Sequence, residues 1–396
     1  MATPSSPPPR TEKPPFWRDP AKRALLFQAL MLAGLFAVIG FIVNNTLTNL
    51  DARGITTGFG FLDNTAGFGI VQSLIDYTPQ STYGRTFLVG LLNTLLVSAL
   101  GIMLATVLGF LMGIARLSPN WLLSRLASAY VEIFRNIPLL LQIFFWYFAV
   151  LRSLPSPRQS MSIGEVAFLN VRGLVVPDPV GGPGFGWTLV ALAVAVVASI
   201  VLVRFNRRRH EATGVRLPAG WISLGLIIGL PALVFVGSGM PLTWDVPKLT
   251  GFNFSGGITV LPELLALWLA LSIYTGAFIA EIVRSGIQAV SHGQTEAARA
   301  LSLSGGMTLR LVVIPQAMRV IIPPLTSQYL NLIKNSSLAT AIGYPDLVSV
   351  FAGTTLNQTG QAIEVIMMTM AVYLTLSLLV SMFMNWFNAR MALVER

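Results

Sequence analysis

The sequence predicts an all-α integral membrane protein of about eight helices. Three observations carry this reading. Charged residues make up 11% of the 396 and the mean hydropathy is +0.70, whereas a soluble globule carries about 25% charged residues. Apolar runs recur along the chain, most of them near the ~20 residues that cross a hydrocarbon core of ~30 Å. The loops between those runs divide the basic residues unequally.

Residues 1–20 begin with six prolines in fifteen positions, interspersed with Ser, Lys and Arg. That is the composition of a disordered polar tail. No small-residue cleavage site follows the first apolar run, 24–44, so it reads as a retained helix, not a signal peptide. The later runs are 86–115, 137–152, 188–204, 220–237, 262–284, about 311–333 and 363–387. The run 137–152 is short, and its helix is expected to extend toward Arg152. Pro315, Pro323 and Pro324 interrupt the seventh run. Broken backbone at membrane depth needs protein or a water-lined cavity around it, which predicts a place inside the bundle.

Three outer loops, 45–85, 153–187 and 238–261, are rich in Gly, Thr, Ser, Pro and Asn. They have room for short helices or strands, which the sequence does not place. Pro177, Pro179, Gly181, Gly182 and Pro183 set off a two-helix insert at about 188–237 within a core domain spanning 86–390. No clear internal repeat is visible, which counts against an inverted-repeat secondary transporter.

Eight crossings put the N-terminal tail on the same side as 116–136, 205–219, 285–310 and 388–396. That side holds 19 of the 26 Lys and Arg residues and the opposite side holds 6. Under the positive-inside bias both termini are cytoplasmic. The net charge of +10 is spread over five short segments, which argues against nucleic acid as a partner and for a lipid bilayer.

Several chemistries are excluded. Without cysteine there is neither disulfide nor thiolate. Two histidines, His210 and His292, are too few for a His-based metal site. None of Lys13, Lys22, Lys248 and Lys334 precedes Ser or Thr in a Gly-rich loop, so the phosphate-cradling P-loop is missing. The chain is expected to be no enzyme and to hold no cofactor.

The stretch 285–310 is the most informative. Thr295 or Gln294 can open a helix, Glu296 would face the positive end of its dipole, and Ala297, Ala298 and Ala300 favour it. Gly305 and Gly306 would end it. Two to three turns are marginal alone, so this rod needs a protein surface or is a solvated linker. Elsewhere, Leu122, Leu126, Tyr130 and Phe134 make one stripe of a helix over 118–136, interfacial or packed on other helix ends. Glu132 with Arg135, and Glu281 with Arg284, have the spacing of helical ion pairs. Gly109 and Gly113 form a GxxxG string suited to close packing.

Glu296-Ala297-Ala298 followed by Ser302, Val312 and Ile314-Pro315 resembles the EAA loop of bacterial ABC importer permeases. Ser302 stands where that pattern has Gly, Val312 where it has Ile, and Ile314 where it has Leu. The string from Tyr274 to Ile287, the string from Val131 to Gln142 and Lys334-Asn335-Ser336-Ser337-Leu338-Ala339 are similar to blocks of polar amino acid permeases. The long first half and the insert resemble the larger Q-type permease of the general L-amino-acid (Aap/Bzt-like) systems. The resemblance implies a type I (MetI-like) transmembrane domain in the bacterial inner membrane. It implies a second homologous permease, two ATP-hydrolysing subunits that bind the ATP and Mg, and a periplasmic amino-acid-binding protein. It makes 293–306 the ATPase-coupling helix, with Thr295, Glu296, Ala297, Ala298, Arg299, Ser302 and Gly305 at the contact.

A path for amino acids needs polar groups inside the bundle. Ser327, Asn331 and Lys334 follow at helical spacing, as do Ser272 with Thr275 and Thr94 with Ser98. Intramembrane polar residues tend to face a cavity, although Ser and Thr also bond their own backbone or a neighbouring helix. Lys334 would need a site near the outer end of its helix or a carboxylate such as Asp346 or Glu281. An ion-coupled secondary transporter is the competing reading. It would need mid-span carboxylates, whereas Glu263, Glu281 and Glu364 lie near span ends.

Overall fold

Apolar stretches of bilayer length frame the computed structural model, which describes residues 17, 19–52, 54 and 57–391 except 165 and 216. The tail expected over 1–20 lies almost wholly outside the described residues. Seven described helices are long and apolar enough to cross a membrane, or eight if one bent pair is a single span.

Helix α1 (Pro20–Ala52) runs eight residues past the expected end at 44, shortening the loop drawn at 45–85. Polar side chains sustain it, because Thr46 and Thr48 donate to the carbonyls of Ile42 and Asn44. Helix α2 (Tyr83–Arg116) starts at Thr82, whose hydroxyl accepts from the Arg85 amide. Helix α3 (Trp121–Asn136) is capped by Asn120 and stops before Pro138, which disfavours helical geometry in the residue before it. Helix α4 (Leu139–Phe144) then leaves at 106° and runs on through a π-helical stretch to Leu151. Gln142 holds this corner by donating to the carbonyls of Phe134 and Ile137, each at 2.9 Å. The expected helix over 118–136 and the short run 137–152 are thus two arms of one bent segment. Ala127 and Val131 form the buried face of α3. Leu122 and Leu126 stay exposed, and the Tyr130 hydroxyl donates to the carbonyl of Ile273 at 2.7 Å.

The two outer loops on either side of the insert fold together, adding eight short strands to the helical fold. They are β1 (Met161–Ile163), β2 (Ala167–Asn170), β3 (Gly173–Val176), β4 (Asp178–Gly181), β5 (Leu242–Asp245), β6 (Lys248–Thr250), β7 (Asn253–Ser255) and β8 (Ile258–Val260). An antiparallel sheet in the order β1-β2-β3-β8 joins the loops through Leu174↔Val260 and Val176↔Ile258. The ribbon β4-β5 carries the insert, a hairpin of α5 (Phe185–Thr213) and α6 (Ala219–Gly237) that packs on itself and scarcely on the rest. One sheet built from both loops places them on one side of the bilayer, as the expected pair of crossings between them requires.

Helix α7 (Pro262–Gln288) is the centre of the bundle, with 61% of its most apolar stretch buried. Its most extensive neighbour is α2, whose Val97, Gly101, Ala105, Gly109 and Gly113, one residue every fourth position, are all buried, with Gly109 and Gly113 against α7 and Gly101 against Leu332. The GxxxG string is the last part of that stripe. A Cβ on Gly113 would lie 2.7 Å from the Ala280 carbonyl oxygen, and one on Gly109 would collide with Ile279.

The chain then forms α8 (His292–Ala300), α9 (Gly305–Thr308), a π-helical turn and α10 (Ile314–Asn335). A 3₁₀ turn at 336–342 and a third π-helical segment at 348–355 lead through α11 (Leu356–Thr359) to α12 (Ala362–Met391). Pro315 occupies the first turn of α10, and Pro323 and Pro324 lie inside it without ending it. Within this chain the Pro-broken span is only partly inside the bundle. Only 28% of its most apolar stretch is buried, and α7 takes the central place. The face with both prolines points out of this chain.

Candidate functional site

Two regions bring candidate residues together: the loop from α7 to α10, and one face of α10. In the loop, α8 begins at His292 after Ser291, earlier than the expected start at Gln294 or Thr295. Glu296 therefore falls outside the first turn, and its carboxylate meets His292 Nδ1 at 3.0 Å. Ala298 is buried against the following segment. Glu296, Ala297, Arg299, Ala300 and Leu301 are exposed, Leu301 by 76%, and Thr295 is half-buried. Gln316 on α10 donates to Gln294 at 3.3 Å and ties the rod to the bundle.

The rod ends at Ser302, not at Gly305-Gly306, correcting the expected boundary. Ser302 has φ +59°, the left-handed conformation that favours glycine. The Leu303 amide donates to the Ala298 carbonyl at 3.1 Å and the Ser302 amide to that of Arg299 at 2.8 Å. These are the two bonds of a Schellman cap, whose left-handed residue is most often Gly. Ser304 then caps α9 by accepting from the Met307 amide, so Gly305 begins a new helix. The position where the EAA pattern has Gly is thus the position whose backbone calls for it. Ser302→Gly is expected to stabilise the loop by about 1 kcal/mol. Hydrogen exchange should show it as roughly fivefold slower exchange of the α8 amides.

At the same end of the bundle, Glu281 sits between Arg116 of α2 and Arg284 of its own helix, bonded to both. The expected Glu281–Arg284 pair thus becomes a three-residue cluster joining α2 to α7. The Glu132–Arg135 pair does not form, since Arg135 lies over the Phe278 ring at 5.1 Å.

The path candidates separate into two groups. Thr94 and Ser272 are fully buried and serve packing. Thr94 donates to the Gly90 carbonyl and accepts from the Leu347 amide, and Ser272 reaches the Gly101 carbonyl at 3.5 Å. Ser98 is buried, and its hydroxyl lacks a hydrogen-bond partner. Ser327, Asn331 and Lys334 lie exposed on the face of α10 that also carries Val320, Pro323 and Pro324. Asn331 and Thr275 join in lining a cavity of about 230 Å³ with Tyr274, Phe278, Gln328 and Asn335. Sequence reasoning missed Gln328, although it is adjacent to the Ser327–Asn331–Lys334 stripe.

Lys334 borders a second cavity of about 480 Å³, with Ser337, Val348, Thr369, Met370 and Tyr373. Neither suggested carboxylate is its partner. Glu281 belongs to the arginines. Asp346 is fully buried, accepts from the Ser349 amide at 2.8 Å and faces the Tyr373 hydroxyl. Burial pushes its pKa up to about 7.

A bundle with a capped rod protruding at one end, and polar side chains on the open face of a spanning helix, defines a membrane-embedded transport component. Residues 218–393 match the family described as binding-protein-dependent transport system inner membrane component. The chain is 62% identical to YhdX of Escherichia coli (strain K12), over 96% of each chain. It is 55% identical to the general L-amino acid transport system permease protein AapQ of Rhizobium johnstonii, over 96% of this chain and 94% of that one. Identity is 43% to the glutamate/glutamine/aspartate/asparagine transport system permease protein BztB of Rhodobacter capsulatus, over 96% of each. Among solved structures, an amino acid ABC transporter crystallised with histidines aligns with 78% of this chain and 95% of its own. Its 21% identity and TM-score of 0.46 are too low to assign residue roles. The chain belongs to the amino-acid ABC transporter permeases of the general L-amino-acid (Aap/Bzt) type. It is a multi-pass inner-membrane permease subunit.

Proposed function

We propose that this subunit forms half of the path by which polar and general L-amino acids enter the cell. Its face of α10 would meet a second homologous permease. A periplasmic amino-acid-binding protein would deliver substrate to the outer end. Two ATPase subunits, holding the ATP and Mg, would grip α8 and its partner's equivalent from the cytoplasm, where both termini would lie. ATP-driven closure would move the rods together and switch access from outside to inside.

One observation carries this reading: Ser327, Asn331 and Lys334 lie exposed on a membrane-spanning helix. Such groups are costly against lipid and face protein or water, so a partner or an aqueous path must cover them. The names of AapQ and BztB support the substrate class. The ion-coupled alternative is disfavoured by what its carboxylates do. Glu263 accepts from Tyr147, Glu281 binds two arginines, and Glu364 accepts from the Gly58 amide.

The chain has no natural cysteine, so single cysteines can report on the path. In assembled complexes in vesicles, Ser327→Cys, Asn331→Cys and Lys334→Cys are expected to react with a charged, membrane-impermeant thiol reagent, at rates that change with ATP. Leu374→Cys and Leu378→Cys, on the apolar exposed face of α12, are expected to stay silent. A stripe on α10 that reacts no faster than α12 in every nucleotide state contradicts the proposal.

A further inference from the structure

The α5–α6 hairpin belongs neither to the path nor to the coupling loop. Leu189, Val197 and Val201 on α5, and Leu224, Ile228 and Leu233 on α6, are all exposed. With so little contact to the core, acyl chains are the solvent such a surface requires. Trp187, near the start of α5, and Trp221, near the start of the antiparallel α6, are exposed at opposite ends of the hairpin. Interfacial tryptophans take these levels at the two faces of a bilayer.

Those anchors set the depth of the basic residues. At a rise of ~1.5 Å per residue, Arg204 lies about 25 Å along the helix from Trp187 and Arg208 about 32 Å. The hydrocarbon core is ~30 Å thick, so Arg208 lies at the lipid phosphates and Arg204, one turn deeper, reaches that level with its long side chain. They are four residues apart, hence on one face, and with Val201 and Phe205 they line a cavity of about 320 Å³. Its lining joins two cations to an apolar side chain and a ring. Both arginines are exposed, and neither forms an ion pair among the described residues. The site is held in shape, because Asn206 bonds both the amide and the carbonyl of Leu217 at 3.0 and 3.1 Å and closes the turn between the helices. Exposed Arg209 adds positive charge beside it.

We propose that Arg204 and Arg208 bind the phosphate of an anionic phospholipid, with Phe205 and Val201 against its acyl chain. The insert is then a lipid-anchoring module of the permease. A guanidinium pair matches phosphate oxygens with directed hydrogen bonds. A headgroup of net negative charge is preferred because a zwitterionic one brings its own ammonium to the same site.

Native mass spectrometry of the whole importer complex, released from membranes containing phosphatidylethanolamine and phosphatidylglycerol, reads which lipids stay bound. The Arg204→Gln/Arg208→Gln complex is expected to retain about tenfold less phosphatidylglycerol than the native one, with phosphatidylethanolamine unchanged. Arg125→Gln/Arg390→Gln removes the same charge elsewhere and is expected to retain the native amount. In bilayers of phosphatidylethanolamine alone, phosphatidylglycerol should raise the native complex's thermal midpoint and inorganic phosphate should not. Equal phosphatidylglycerol retention by the Arg204/Arg208 variant, equal loss in the control, or stabilisation by inorganic phosphate alone overturns the proposal. None of these readings depends on transport.

Discussion

An Ala297→Asp permease is expected to insert, assemble and support ATP hydrolysis while moving at least about tenfold less amino acid per ATP. Ala297 is exposed on α8, beside Ala300 and the 76%-exposed Leu301, whereas Ala298 one position on is buried. The exposed face is small-residued, so an ATPase groove can approach the rod's backbone closely. A carboxylate forced into that contact loses its water without gaining a partner, a cost of at least ~1–3 kcal/mol, and ~1.4 kcal/mol is already tenfold. The readout is ATP hydrolysis and uptake in the same vesicles. A native ratio in the variant removes α8 as the coupling element. Ala298→Asp should fail differently, lowering the thermal midpoint of the permease itself because its carboxylate would be buried within the chain.

Gly113→Leu is expected to prevent a stable bundle from forming. Its Cβ alone would stand 2.7 Å from the Ala280 carbonyl oxygen and 2.8 Å from the Val283 side chain, and main chain does not yield as a flexible side chain does. Overpacking of this kind costs about 3 kcal/mol or more when backbone must move. The loss should appear as little folded protein in the membrane and a low thermal midpoint in what remains. Gly225→Leu in α6, where nothing lies within 4 Å of the added Cβ, should leave both unchanged. Native stability for Gly113→Leu would contradict the close α2–α7 packing.

The spans were legible because a bilayer demands long apolar helices, and runs such as 262–284 and 363–387 announce themselves. The α2–α7 contact was partly legible. Gly109 and Gly113 were visible as a pair, but the same stripe continues through Ala105 and Gly101 to Val97, where the residues carry no motif of their own. Strands were not legible. Each has three or four residues, and β3 pairs with β8 from beyond the whole insert, a partner that no local pattern names. The 106° corner depends on Pro138 and on Gln142 reaching back to carbonyls behind it. Composition separated those two arms without showing that they meet.

At the site, the rod was legible from its alanines, but its ends were not. Two glycines suggested a stop at 305, whereas Ser302 adopts the left-handed turn and Ser304 restarts the helix. The polar stripe of α10 was visible from spacing alone. Which members face outward depends on α7 holding the centre, and that follows from packing. The partner of Lys334 was not legible, because each candidate carboxylate is taken up by one near neighbour, Arg284 or the Ser349 amide, and one distant in sequence, Arg116 or Tyr373.

Uptake into sealed vesicles tests the central claim most directly. This permease is reconstituted with the proposed second permease and the ATPase subunits, and the binding protein is added outside. Amino acid entry is predicted to require ATP at the cytoplasmic face and to persist when ionophores collapse every ion gradient. Entry without nucleotide that stops with the gradients would contradict the account.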